Sequence, residues 1–133
     1  MGMYTELFIS TRIKNDPIAV KTIKAMFGDE DISGLPVHPL FSCPRWRSML
    51  VCSSYYFVPR STHLFEFDNI GQCWVLISRS DFKNYDGEIG KFIDWIEPYL
   101  DVSIGEMIGY YRYEEVAQPT IIYAGGKPSD EIQ

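Results

Sequence analysis

The sequence predicts an α+β fold in which an antiparallel or mixed β-sheet carries two helices on one face. Two patterns support this: several short segments alternate apolar with polar residues, and two segments have helical spacing. Placing both helices on one side of the sheet is the simplest way to bury both apolar stripes. A chain of 133 residues suits a single domain. We expect that domain at residues 1–124, followed by a flexible polar tail at 125–133.

The first strand and the first helix are predicted near the N-terminus. Residues 4–13 alternate with a period of two, which is typical of a half-buried strand. Asp16 and Pro17 indicate a helix start, because an Asp side chain accepts from free N–H groups and proline suits the first helical position. The helix is predicted over residues 18–27, and Gly28 is a natural left-handed stop.

The middle of the chain predicts a loop and three strands. The loop covers residues 29–44, which hold Gly34 and three prolines, and it is long for a compact domain. Strands are predicted at 46–57, 62–67 and 72–79. Residues 68–71 form a turn between the last two.

A second helix and a hairpin complete the pattern. Residues 86–100 are predicted to be helical with Asp86 as N-cap and an irregular last turn at Pro98. The stripe predicted to be buried holds Ile89, Phe92, Ile93, Ile96 and Leu100. Two further strands are predicted at residues 107–113 and 120–123.

Two features predict a symmetric homo-oligomer. The strand at 72–79 carries apolar residues on both faces, so a helix or another subunit must cover its second face. Trp95 lies off the buried stripe of its helix, where an exposed tryptophan is unusual for a monomer. The alternative is that the loop at 29–44 folds over the second face.

The composition excludes several classes of protein. A net charge of −6 and a pI near 4.8 argue against direct binding of nucleic acid, which requires a basic surface. No apolar run is long enough to span a membrane. Three widely spaced cysteines do not suggest a disulfide framework, and together with the absence of a signal-type N-terminus they predict a cytoplasmic protein.

The sequence lacks the common catalytic motifs. It contains no phosphate-binding loop, no HExxH or CxxC and no nucleophile elbow. The acidic runs do not have the ligand spacing of a metal site. These observations predict a protein that is not an enzyme and that has no cofactor or metal.

Three short segments combine aromatic residues with arginine, and Arg79 adds a further cation at a strand end. Aromatic rings stack on planar bases, and arginine binds phosphate through a bidentate fork. The combination predicts a site for a small anionic, nucleotide-like ligand. Its candidate residues are Arg45, Trp46, Arg47, Tyr55, Tyr56, Arg79 and Arg112. The competing interpretation is that the aromatics are ordinary strand residues and that the arginines pair with surface carboxylates.

Arg79 is the sharpest of these candidates. A charge at the end of a buried strand must be paired, because an unpaired one costs several kcal/mol. Its partner is predicted to be either an internal carboxylate, Glu66 or Asp68 of the neighbouring strand, or an external anion.

The chain resembles a group of small phage and prophage proteins of unknown function. The segments that carry this resemblance are Tyr4-Thr5-Glu6-Leu7, Ser54-Tyr55-Tyr56-Phe57, Arg79-Ser80 with Lys83-Asn84-Tyr85-Asp86-Gly87-Glu88-Ile89, Phe92 to Tyr99, and Arg112-Tyr113-Glu114-Glu115 with Pro119-Thr120. The resemblance implies a mobile-element origin and a host cytoplasm as location. It favours an anti-defence protein, such as an oligomeric sponge for a nucleotide immune signal. The alternative is an inhibitor, like an anti-CRISPR protein, that binds a host defence protein through an acidic and aromatic surface.

Overall fold

The computed structural model of the protein describes residues 4–28, 33–53, 62–84 and 86–126. Within them, five antiparallel strands form one sheet and two α-helices complete an α+β fold. The elements are β1 (Thr5–Lys14), α1 (Pro17–Met26), a 3-10 helix (Pro39–Ser42), β2 (Thr62–Asp68), β3 (Cys73–Phe82), α2 (Glu88–Ile96), a second 3-10 helix (Glu97–Tyr99), β4 (Met107–Tyr113) and β5 (Thr120–Tyr123). The tail predicted at 125–133 is described only as far as Gly126.

The strand order is β2-β3-β1-β4-β5, so the first strand of the chain lies at the centre of the sheet. The prediction left open an antiparallel or a mixed sheet, and every neighbouring pair proves to be antiparallel. The strand boundaries predicted for β2, β4 and β5 agree with the structure to within one residue.

One face of the sheet, which we call the core face, packs against both helices. On β1, the alternation predicted from the sequence is confirmed: Leu7, Ile9 and Ile13 are buried, whereas Ser10 and Arg12 point away and are exposed. The buried residues of both helices and of the turns at 40–50 belong to the same hydrophobic cluster as Leu7 and Ile9. The opposite side of the sheet, the open face, carries the alternate residues of each strand.

Helix α1 begins as the sequence predicts. The Asp16 carboxylate accepts hydrogen bonds from the N–H groups of Ile18, at 2.9 Å, and Ala19, at 3.1 Å. Pro17 occupies the first turn, and Gly28 has a φ of 113° beyond the last turn.

We expect Asp16→Ala to lower the free energy of unfolding by about 0.5–2 kcal/mol, because two helix N–H groups lose their acceptor. Asp16→Asn retains an acceptor oxygen and is the matched control, with a smaller loss expected. Urea denaturation followed by circular dichroism measures both. Equal losses for the two variants would show that the cap does not depend on the hydrogen bonds.

The strand predicted at 46–57 is wrong over its described part. Residues 44–51 form successive turns, in which Trp46 N–H donates to Cys43 and Val51 N–H donates to Ser48. This segment is apolar because its side chains fill the core, with Met49 and Leu50 fully buried. The part of the prediction at 54–57 lies outside the described residues.

Trp95 is buried rather than exposed, with 3% of its surface accessible. The loop residue Phe41 covers it, with ring centroids 6.3 Å apart, while Phe92 on the same helix lies 6.0 Å away. Helix α2 is therefore packed on two sides, and one of the two observations behind the predicted oligomer no longer holds. The oligomer itself stays a prediction, because Val75 and Ile77 do point to the open face and Ile77 is 37% exposed.

The structure of α2 corrects two of the predictions made for this helix and confirms a third. The N-cap is Gly87, with a φ of 67°, and not Asp86, because the backbone enters the helix in a left-handed conformation. Ile93 is half-buried, whereas Phe92 is fully buried. The irregular last turn at Pro98 is confirmed as the 3-10 helix Glu97–Tyr99.

Candidate binding site on the open sheet face

The sheet register brings four polar side chains together at one end of the open face. Glu6 of β1 lies opposite Arg112 of β4, and Phe8 lies between Arg79 of β3 and Tyr110 of β4. Because alternate residues of a strand share a face, Glu6, Arg79, Tyr110 and Arg112 all project from the same side. We call these four residues the Glu6 cluster.

Glu6 is the centre of this cluster. Its side chain is only 4% exposed. Its Oε2 accepts a hydrogen bond from Arg79 Nε at 2.8 Å and another from the Tyr110 hydroxyl at 3.1 Å. Its Oε1 lies 3.8 Å from Arg112 Nε. A buried carboxylate requires such partners, since its desolvation is otherwise unfavourable.

The hydrogen bond that Arg79 donates to Glu6 raises the pKa of Arg79 above its usual value. Burial raises the pKa of Tyr110, and the negative charge of Glu6 raises it further. Arg79 therefore remains a cation and Tyr110 remains a neutral phenol throughout the physiological pH range.

The two arginines of the cluster are accessible, whereas the Glu6 carboxylate that they contact is not. The Arg79 side chain is 46% exposed and the Arg112 side chain 32%. Asp81, opposite Glu6 on β3, is completely buried. The accessible charged groups of the Glu6 cluster are therefore its two arginines.

An aromatic pair adjoins the cluster. The rings of Phe8 and Tyr110 stack with centroids 5.4 Å apart and an interplanar angle of 29°, and both side chains are half-buried. Arg79 donates from Nε to Glu6 beside this aromatic pair, because Arg79 lies opposite Phe8 in the register. The arrangement places guanidinium donors next to an aromatic surface, which is suitable for a planar anion.

The structure brings together two of the seven predicted site residues, Arg79 and Arg112. Trp46 is 7% exposed and packs edge-on against Phe41 at 4.7 Å within the core. The hydroxyls of Ser78 and Ser80 donate to backbone carbonyls of the segment that carries Trp46, at 2.7 Å each. This segment therefore lies over the core face, and the sheet separates Trp46 from Arg79.

Arg45 and Arg47 flank Trp46 on that segment. Burial raises the pKa of the Cys52 thiol, the charge of Asp81 raises it further, and the charge of Arg45 lowers it. Arg45 is thus within electrostatic range of Cys52 and Asp81. Tyr55 and Tyr56, the remaining two candidates, lie outside the described residues.

The internal partner of Arg79 is a carboxylate, as one alternative required, but it is not Glu66 or Asp68. On β2 these residues lie opposite Val75 and Cys73, whereas Thr62 lies opposite Arg79. Glu6 reaches Arg79 from the other side of β3, because β1 is inserted next to β3 in the sheet. Sequence reasoning places Glu6 on the alternate face of the first strand, where it has the pattern of a surface charge and not of a site residue.

His38 has both ring nitrogens engaged. Nδ1 accepts from Leu40 N–H at 3.0 Å, so in the neutral ring Nε2 carries the proton and faces Asp94 Oδ2 at 3.0 Å. Both contacts hold the His38 ring in place. Its role in the fold is to join the loop to helix α2.

Comparisons of the chain with protein-family models, with curated proteins and with solved structures give no match. Among the described residues, no helix is both long and apolar enough to cross a membrane. The same part of the chain contains no group of three or more His, Cys, Asp or Glu side chains placed to hold a metal ion.

Proposed function

We propose that the protein is a non-catalytic binding protein that holds a small planar anion, such as a nucleotide, on the open face of its sheet. The observation that carries this proposal is the placement of two accessible guanidinium groups over the buried Glu6 carboxylate, beside the Phe8–Tyr110 pair. Arginine in a fixed orientation binds phosphate through two parallel hydrogen bonds, and an aromatic face stacks on a base.

Glu6 contributes to binding by orienting Arg79. Its carboxylate accepts the hydrogen bond from Arg79 Nε and thereby restrains the guanidinium group, whose Nη groups would then bind the ligand. An arginine held before the ligand arrives loses less conformational freedom on binding, which improves affinity. The carboxylate itself stays beneath the arginines, so it does not meet the ligand directly.

The resemblance to phage proteins suggests the class of nucleotide. We propose a nucleotide signal of a host immune system, sequestered without turnover by an oligomer of this chain. Direct binding of a host defence protein is the second candidate function. Its support is the apolar strip of Leu64, Val75 and Ile77 on the same face, where Leu64 and Ile77 are 36% and 37% exposed.

A thermal-shift screen tests the proposal. The panel contains mononucleotides, cyclic dinucleotides and ADP-ribose derivatives, each present well above its expected Kd. A ligand at 100 times its Kd stabilises the folded protein by about 2.7 kcal/mol, which raises Tm measurably. Recovery of the ligand unchanged after long incubation separates binding from catalysis. A panel without any stabilising member would contradict the nucleotide proposal and favour the protein partner.

We expect Arg79→Lys to keep the fold and the charge but to weaken binding about tenfold or more, since an ammonium group cannot form the bidentate contact. Arg12→Lys is the matched control: Arg12 lies on the same face, is 53% exposed and pairs with Asp68 at 3.4 Å. Isothermal titration with the best ligand from the screen compares the two. If Arg79→Ala lowers Tm sharply while the folded fraction binds normally, Arg79 has a structural role only.

A further inference from the structure

The two edges of the sheet differ in chemistry. Strand β2 forms one edge and carries Glu66 and Asp68, while β5 forms the other with the sequence Thr-Ile-Ile-Tyr and no charged residue. Proteins normally protect an exposed edge with charges, proline or a bulge in the edge strand, because unpaired N–H and C=O groups attract further strands. Apart from its short length, β5 has none of these protections within its four residues.

The backbone groups that β5 presents outward can be assigned from its ladder. Ala124 N–H donates to Glu106 at 2.9 Å, and the Ala124 carbonyl accepts from Gly105 N–H at 2.7 Å, so both groups of Ala124 point to the β4 side. Because a strand alternates, the groups of Ile122 point the same way and those of Ile121 and Tyr123 point away from β4. The Tyr123 carbonyl accepts from Gly126 N–H. The N–H groups of Ile121 and Tyr123 and the carbonyl group of Ile121 therefore remain directed outward.

A groove of about 510 Å³ runs along this edge. All four residues of β5 line it, together with Ile93, Tyr111 and Gly126. Ile93 comes from helix α2 and is half-buried, so it forms an apolar wall beside the strand. Successive residues of β5, which belong to both faces of the sheet, line the groove, so it extends along the strand.

One carboxylate, that of Glu97, lies next to the end of the groove without lining it. Gly126 lines the groove, and the adjacent Gly125 N–H donates to the Glu97 carboxylate at 2.5 Å. The chain as a whole has a net charge of −6, which favours a basic partner segment at this edge.

We propose that the β5 edge binds an extended segment of a partner protein as a sixth strand. The outward groups of Ile121 and Tyr123 form the main-chain hydrogen bonds, and alternate apolar side chains of the segment fill the groove beside Ile93. A basic side chain at its end pairs with Glu97. In this mode of recognition the backbone provides affinity and the pockets for alternate side chains provide specificity. The edge strand adjoins the Glu6 cluster, since Ile121 lies opposite Tyr110 in the register. The inference uses the outward backbone groups of β5 and not the two arginines, so it does not depend on the nucleotide proposal.

A defined peptide tests the inference. The probe is a short peptide in which valine alternates with threonine and lysine flanks both ends. Amide chemical shifts of the wild-type protein are expected to change at 120–126 and at Ile93, and hydrogen exchange of the Ile121 and Tyr123 amides is expected to slow. Shifts confined to β2 or to the Glu6 cluster, or no shifts at all, overturn the proposal.

Ile121→Pro is the decisive variant. Proline removes the outward N–H of Ile121 without removing a donor from the β4 ladder, so the fold is expected to persist while peptide affinity falls about tenfold or more. Ile121→Ala, which keeps the N–H, is the matched control and retains most of the affinity. Glu97→Gln is expected to weaken the binding of this lysine-flanked peptide. It is not expected to weaken the binding of a peptide flanked by glutamate. Unchanged affinity of the folded Ile121→Pro protein overturns the proposal.

Self-association must be measured in parallel. If sedimentation shows a dimer that Ile121→Pro abolishes, and the peptide does not bind, the edge serves a second copy of the chain and the peptide proposal is wrong. If Ile121→Pro fails to fold, the exchange rates of the Ile121 and Tyr123 amides in the wild-type protein decide the question.

Discussion

Phe92→Ala is expected to lower the free energy of unfolding by about 3–5 kcal/mol. The side chain is fully buried between helix α2 and the sheet, and its ring lies 6.0 Å from that of Trp95. Truncation removes the burial of a large apolar group and leaves a cavity that close-packed neighbours fill only in part. Chemical denaturation followed by tryptophan fluorescence measures the loss.

Ile93→Ala is the control on the next position of the same helix. Ile93 is half-buried, so its truncation exposes less new cavity and is expected to cost clearly less than the Phe92 change. Equal losses at the two positions would mean that α2 does not present Phe92 as its main contact with the sheet.

Gly109→Ala is the second large effect that we expect. A Cβ atom at this position would lie 2.0 Å from the Phe8 carbonyl oxygen and 3.1 Å from Ile9 Cα. Both atoms belong to the backbone of β1, which cannot turn aside as a flexible side chain can. Strands β1 and β4 must separate locally, and the expected loss of stability is about 3 kcal/mol or more, at the upper end for overpacking.

Gly90→Ala is the matched control for this prediction. Gly90 is exposed in the middle of α2, and a Cβ atom there would meet nothing within 4 Å. Alanine favours the helix by about 0.5–1 kcal/mol over glycine, so this variant is expected to be more stable than the wild type. A stable Gly109→Ala protein would show that the close approach of the two strands is not rigid.

The parts of the fold that sequence reasoning predicted are those with a clear period and a local end signal. β1 alternates over ten residues, and α1 begins at an Asp-Pro pair whose capping bonds are present. The strand prediction was wrong at 46–51 because an apolar run without a period does not distinguish a buried strand from buried turns. The order of strands in the sheet depends on long-range pairing, which no local pattern encodes.

The difference between local patterns and long-range pairing also explains how much of the candidate site could be predicted. Arg79 and Arg112 could be chosen from the sequence as arginines near aromatics, but their meeting point could not. Glu6 and Arg79 are joined only because β1 lies between β3 and β4. Trp46 was chosen by composition, and the structure buries it against Phe41, since a large aromatic side chain in a small domain gains more from the core than from the surface.

The central position of β1 also has a consequence for how the chain folds during synthesis. Its first partner, β3, spans Cys73–Phe82, while its second, β4, is made later and pairs Tyr113 with Thr5. Contacts between residues so distant in sequence form slowly, because the chain must close long loops first. Between the emergence of β3 and that of β4, one edge of β1 has no strand to pair with. The nascent chain is expected to be prone to mispairing in that interval, and shielding that edge until β4 arrives is a task suited to a molecular chaperone.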